Sequence, residues 1–134
     1  MIKVICVGKI KEEYLSKLIS DYEKRISKYH KVDILELKDS DIKSEGDLIL
    51  KNIKSSDFLV TMEIGGTNLS SLELSKNIDE WLMKYGNITF VIGGSNGIDE
   101  RVLALAKYRL SFGNNTFPHG LFRGVLLEQI YRSF

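Results

Sequence analysis

The residues best suited to chemistry crowd toward the C-terminal end of this sequence. Ser111-Phe-Gly-Asn-Asn-Thr-Phe117 is small and polar, and the only proline, Pro118, then opens an apolar helix that carries His119 and Arg123. Proline suits a helix start, because its fixed φ is pre-set and its missing N–H is not needed there. The free amides of that first turn point back at the loop, where the helix dipole adds partial positive charge. One short segment therefore offers backbone donors, an imidazole and a guanidinium to a ligand.

Two other stretches read as partners for it. Met62-Glu-Ile-Gly-Gly66 and Gly93-Gly-Ser-Asn-Gly97 each follow an apolar, β-branched run. Glycines at strand ends let the backbone approach a ligand closely. In an open α/β sheet, ligands bind beyond the carboxyl ends of the strands. The Gly93 loop has neither G-x-G-x-x-G spacing nor a G-K-[ST] ending, so phosphate cradling is not indicated. It does match G-x-S-x-G between a strand and a helix. The acids that follow it, Asp99 and Glu100, open the next helix and are misplaced for a triad, so Ser95 reads as a turn residue. Glu63 and Glu128 could act as acid or base, but Glu128 stands four residues before Arg132, the favourable order for a helix ion pair.

The elements that must position these residues are legible from periodicity. Ile2–Val7, Phe58–Ile64, Asn87–Ile92 and Tyr108–Phe112 read as strands, with Gly65-Gly66 ending the second of them. Val32–Leu37 alternates apolar and polar residues, as a strand near a sheet edge does. Leu15, Leu18, Ile19, Tyr22 and Ile26 recur at helical spacing, as do Leu74, Ile78, Trp81, Leu82 and Tyr85. Ser70 and Glu73 have capping-box spacing, and Asp99 is placed to cap a short helix to about Ala106. Lys38–Gly46 reads as a loop and Asp47–Ile53 as a short helix. Strands alternating with helices imply an α/β fold with a mainly parallel sheet and helices on both faces. The final helix is apolar on too many sides for a surface helix, so it is central in its own fold or covered by a partner. A homodimer interface is the expected cover.

The totals narrow the class. A chain of 134 residues suits one domain. With 19 basic and 18 acidic residues it is nearly neutral, so nucleic-acid binding would need a local patch. Cys6 is the single cysteine and lies in an apolar run, which excludes a disulfide framework. His30 and His119 lie far apart, and no metal site is expected. The start shows no signal peptide, and no run reaches the ~20 apolar residues of a membrane span. A cytoplasmic, membrane-free protein is the expectation.

Val7-Gly-Lys-Ile-Lys-Glu-Glu-Tyr14, Phe90-Val-Ile-Gly-Gly-Ser-Asn-Gly97, Leu110-Ser-Phe112, Thr116-Phe-Pro-His119, Arg123 and Glu128-Gln-Ile-Tyr-Arg132 together resemble the ribosomal RNA large subunit methyltransferase H family. These are small SPOUT, or α/β-knot, methyltransferases. The resemblance spans residues 1–134 as one domain, with a shorter stretch around Lys38–Ser55. It implies a C-terminal trefoil knot, an exception to unknotted topology. It implies a homodimer that binds S-adenosyl-L-methionine and methylates N3 of a pseudouridine in 23S ribosomal RNA on the assembled ribosome. The cofactor contacts it implies fall on Met62, Gly93, Phe112, Gly113, Asn114, Asn115, Thr116 and Phe117. His119 and Arg123 are the expected catalytic residues. His119 either helps remove the acceptor proton or only caps and packs, and Arg123 and Arg132 are candidates for RNA contact. Family members run on through a basic tail ending Tyr-His-Lys, whereas this sequence ends at Phe134, so either the sequence stops short of that tail or the protein lacks those groups on its substrate side. A knotted RNA-binding protein without the chemistry and a flavodoxin-like nucleotide module stay open as other classes.

Overall fold

The computed structural model describes residues 1–134, the side chain of His119 excepted. Five strands and five helices alternate: β1 (Ile2–Val7), α1 (Glu13–Ser27), β2 (Val32–Leu37), α2 (Ile42–Lys51), β3 (Phe58–Asn68), α3 (Ser71–Tyr85), β4 (Ile88–Ile92), α4 (Glu100–Leu103), β5 (Tyr108–Ser111) and α5 (His119–Arg132). The strands form one sheet in the order β2-β1-β4-β3-β5, and every neighbouring pair is parallel. The expected α/β class and the edge position of β2 both hold. No helix among the described residues is long and apolar enough to cross a membrane.

Each sheet face has its own core. Val4, Cys6, Val60, Phe90 and Leu110 point toward α1, α3 and α5. Ile5, Val7, Leu59 and Val91 point toward α2 and α4. Both faces are covered, which is why these strands read as continuous apolar runs rather than as alternation. α5 packs against both α1 and α3. Its Leu126, Leu127 and Ile130 are buried within the chain, each worth about 1.5–3 kcal/mol by area. Most of the apolar width of α5 is therefore covered internally, and no partner is needed to explain it. Gly120 and Gly124 bring α5 close to α1. A Cβ on Gly120 would meet Leu15 Cδ1 at 2.6 Å, and one on Gly124 would meet Leu18 Cδ2 at 2.6 Å.

Two expected boundaries are corrected. α2 begins at Ile42, inside the stretch read as a loop, because Asp41 caps it by accepting from Ser44 N at 3.0 Å. Gly46 lies buried within that helix, where a Cβ would stand 2.2 Å from Asp99 Oδ2 and 2.6 Å from Asp99 Cβ. The close approach of the α4 cap overrides glycine's low helix propensity. β3 likewise runs past Gly65-Gly66 to Asn68, since Gly66 allows contact with β5, where a Cβ would be 2.8 Å from Arg109 O. The Ser70–Glu73 capping box is present with both hydrogen bonds, at 2.9 and 3.1 Å. Gly46→Ala should destabilise the fold by about 1–3 kcal/mol through overpacking against Asp99, read as a lower urea midpoint; an unchanged midpoint would show that α2 and α4 shift apart freely.

Candidate functional site

The irregular middle of β3 and the C-terminal ends of β4 and β5 open into a common cavity of about 530 Å³. Each strand shapes one wall by a different device. The β3–β5 ladder pairs Met62 with Leu110 and then resumes at Thr67 with Leu110, so the intervening residues leave the regular ladder. Glu63, Ile64 and Gly65 line the cavity from there. After β4, Gly97 N donates to Gly94 O at 3.1 Å and Gly97 adopts φ +80°. Gly93 has no room for a side chain, since a Cβ would lie 2.7 Å from Gly97 O. After β5, the buried Ser111 Oγ lies 3.0 Å from Ile64 O and accepts from Gly113 N at 3.1 Å. Gly113 takes φ +109°, which favours glycine. Phe122 of α5 packs on Phe112 and Phe117, with ring centres 5.6 and 5.8 Å away, and so pins both ends of the third loop.

The cavity surface is mixed in the way small-molecule sites are. Met62, Ile92, Ile98 and Leu103 give apolar walls, and the glycine loops present backbone groups. Such a lining suits a flat heteroaromatic group with a small polar extension. Of the residues expected to touch cofactor, Met62, Gly93, Phe112, Gly113, Asn115, Thr116 and Phe117 are brought together around the cavity, whereas Asn114 is exposed and outside the lining. Ser111, which opens the candidate C-terminal segment, also lines it, as do Ile98, Leu103 and Phe122, which sequence reasoning misses because they look like ordinary core residues.

Ser95 also lines the cavity, but among the described residues its hydroxyl bonds to no acid or histidine. Asp99 is engaged by Arg101, whose hydrogen bonds hold its carboxyl below the usual range. Among the described residues a nucleophile elbow therefore has no relay. The side chain of His119 lies outside the described residues; its backbone opens α5. Arg132 pairs with Glu128 on α5, as its spacing suggested. Burial pushes the Cys6 thiol up to about 11, as befits a core residue beneath the sheet. Among the described residues, no three His, Cys, Asp or Glu side chains gather as metal ligands would.

Arg123 departs from its expected place. It is only 3% exposed and is not part of the cavity lining. Nη2 donates to Val7 O at 3.0 Å and to Gly8 O at 2.6 Å, and Nη1 donates to Glu36 Oε2 at 2.7 Å. The guanidinium is thus committed to the end of β1 and to β2. It cannot meet a substrate in this arrangement and acts instead as a clamp between α5 and the sheet.

The family model described as "Predicted SPOUT methyltransferase" matches residues 1–134. The chain belongs to the SPOUT methyltransferase family. Proteins called ribosomal RNA large subunit methyltransferase H are similar throughout. The one from Clostridium tetani is 43% identical over 147 aligned positions, covering 99% of this chain and 92% of its own. That from Caldicellulosiruptor saccharolyticus is 43% identical, covering 100% and 94%. One from Clostridium botulinum is 46% identical, covering 99% and 92%. Among solved structures, the tRNA (m1G37) methyltransferase from Aquifex aeolicus superposes with a TM-score of 0.55 at 19% identity, over 98% of this chain and 69% of that one. That likeness concerns the fold, and it places this sheet and its helices within the SPOUT architecture.

In this SPOUT domain, Arg123→Ala should cost about 1–3 kcal/mol, the penalty for leaving the Val7 and Gly8 carbonyls unmatched, since the Glu36 side chain is 38% exposed and regains water. Urea denaturation measures it, and a loss below about 1 kcal/mol would show that the clamp is dispensable.

Proposed function

We propose that this protein transfers the methyl group of S-adenosyl-L-methionine to N3 of a pseudouridine in 23S ribosomal RNA, acting on the assembled ribosome in the cytoplasm. The observation that carries the proposal is the three-loop cavity at the irregular middle of β3 and the ends of β4 and β5. Relatives 43–46% identical over nearly the whole chain, named for ribosomal RNA methylation, support the choice of substrate. Family membership also implies that the segment through α5 is threaded as a trefoil knot.

The cavity suits the cofactor on its own terms. Its volume of about 530 Å³ lies in the range of small-ligand sites. Met62, Ile92, Ile98 and Leu103 would flank the adenine, while Gly93 and Phe112–Phe117 would offer backbone groups to its polar edges. S-adenosyl-L-methionine supplies a methyl group on an electron-poor sulfonium. The chain's residues supply orientation, which in well-aligned reactions is worth about 7–11 kcal/mol. We assign to His119, at the start of α5, the removal of the acceptor's N3 proton. Arg123 serves by holding α5, and with it Phe122 and the Phe112–Phe117 loop, against β1. The near-neutral net charge of +1 means that ribosome shape must contribute to recognition alongside phosphate contacts such as Arg132.

We further infer a homodimer. Leu121 and Leu72 remain 38% and 67% exposed and Val125 is half-buried, so α5 and α3 each keep apolar surface that the chain itself does not cover. Sedimentation at micromolar concentration should give twice the monomer mass, and Leu121→Glu should shift it toward monomer. A wild-type monomer across that range overturns this part.

Calorimetry with S-adenosylhomocysteine should show one site per protomer, and absence of binding would sink the methyltransferase reading. Large ribosomal subunits incubated with labelled S-adenosyl-L-methionine should gain label in 23S RNA, located by mass spectrometry at N3 of a pseudouridine. Binding without transfer would instead identify a knotted RNA-binding protein that lacks the chemistry.

A further inference from the structure

Glu63 is the only ionisable side chain among the described residues that line the cavity. It sits where β3 leaves its ladder with β5, directly after Met62. Both contacts recorded for its carboxylate fall on one oxygen. Thr61 Oγ1 donates to Oε2 at 2.8 Å, and Arg109 Nε approaches Oε2 at 3.4 Å. Oε1 carries neither. Thr61 is fully buried, so the carboxylate is held by a fixed donor beneath it. The Arg109 side chain is 55% exposed and lies outside the lining, so it screens Glu63 weakly.

We infer that Glu63 is the cation-recognition residue of this cavity, with Oε1 accepting from the α-ammonium group of the bound aminoacyl nucleoside. The inference rests on the methyl-donor reading above. The reasoning is one of charge placement. A ligand with an ammonium and a carboxylate enters a lining with one acid and, among the described residues, no base. Its carboxylate must turn to backbone amides or to Asn115 and Thr116, and its ammonium has a single charged partner. Charge-assisted hydrogen bonds are shorter and about twice as strong as neutral ones. Glu63 thereby sets the direction in which the amino-acid end lies, toward the Glu63–Gly65 side of the cavity.

The test uses the full chain and two ligands by calorimetry. S-adenosylhomocysteine carries the amino-acid end, and 5′-methylthioadenosine carries the same adenosine and thioether without it. Glu63→Gln should weaken S-adenosylhomocysteine about tenfold, the scale of one charge-assisted hydrogen bond, and leave 5′-methylthioadenosine unchanged. Equal weakening of both would place Glu63 on the adenosine portion and overturn the inference. Unchanged S-adenosylhomocysteine binding would overturn it as well. Failure of the wild type to bind S-adenosylhomocysteine is a separate result and removes the cofactor reading itself. Arg109→Ala supplies an opposite sign should Glu63→Gln fold poorly by circular dichroism. Freeing Glu63 from the guanidinium should strengthen S-adenosylhomocysteine about two- to threefold without affecting 5′-methylthioadenosine, and no strengthening counts against the assignment.

Discussion

A buried guanidinium ties this fold together. Arg123 reaches from α5 to two carbonyls at the end of β1, 116 and 115 residues earlier in the chain, and to Glu36 on β2. Those carbonyls lie where the sheet ladder runs out and where Gly8 turns the chain with φ +97°. A charge taken out of water is costly, and the cost is offset only by good geometry on all sides. Three of the donors here are well matched, while Nε is buried without a partner, so the site is not fully satisfied. What the clamp secures is the height of α5 over the sheet. The glycines at 120 and 124 let α5 descend onto Leu15 and Leu18 of α1, and Phe122 then carries the third cavity loop with it. The shape of the cavity follows from an interaction that lies outside it.

The cavity is built mostly from main chain. Gly93 and Gly113 are there because a side chain would strike Gly97 O in one case and strain the backbone in the other. Ser111 commits its hydroxyl to the neighbouring backbone rather than to the open space. Such a site presents fixed amides and carbonyls whose positions depend on strand register. Preorganised dipoles of this kind need no rearrangement when a ligand arrives. Side-chain chemistry is then confined to a few positions, of which Glu63 is the charged one.

Much of this architecture is legible in the amino-acid sequence. The alternation of strands and helices implies the parallel sheet, and the Ser70–Glu73 and Asp99 caps fall where local hydrogen bonding demands them. The three loops are recognisable because ligand sites in such sheets gather at strand ends, a rule of topology that needs no side-chain detail. The misses share a cause. Gly46 argues against a helix and Gly65-Gly66 argues for the end of a strand, yet tertiary neighbours, Asp99 and Arg109 O, make glycine the only residue that fits at 46 and 66. Arg123 reads as a substrate contact because its type and its nearness to His119 suggest it. Its partners lie near the opposite end of the chain, which no local pattern reveals. The apolar width of α5 allows either a central helix or one covered by a partner, and α1 and α3 take up most of it.

The strand order β2-β1-β4-β3-β5 has a consequence for how the chain is made. β1 can pair with β2 as soon as Leu37 has emerged from the ribosome, yet its other edge belongs to β4. Until Ile88–Ile92 is synthesised, the nascent chain carries β1 with one row of backbone groups unpaired and with Ile2, Val4 and Cys6 on its apolar face. Open edges of that kind recruit foreign strands. Parallel pairings this far apart in sequence are also slow to form. Completion of the sheet therefore waits on the C-terminal half, and Arg123, on the last helix, closes the end of the strand that was made first.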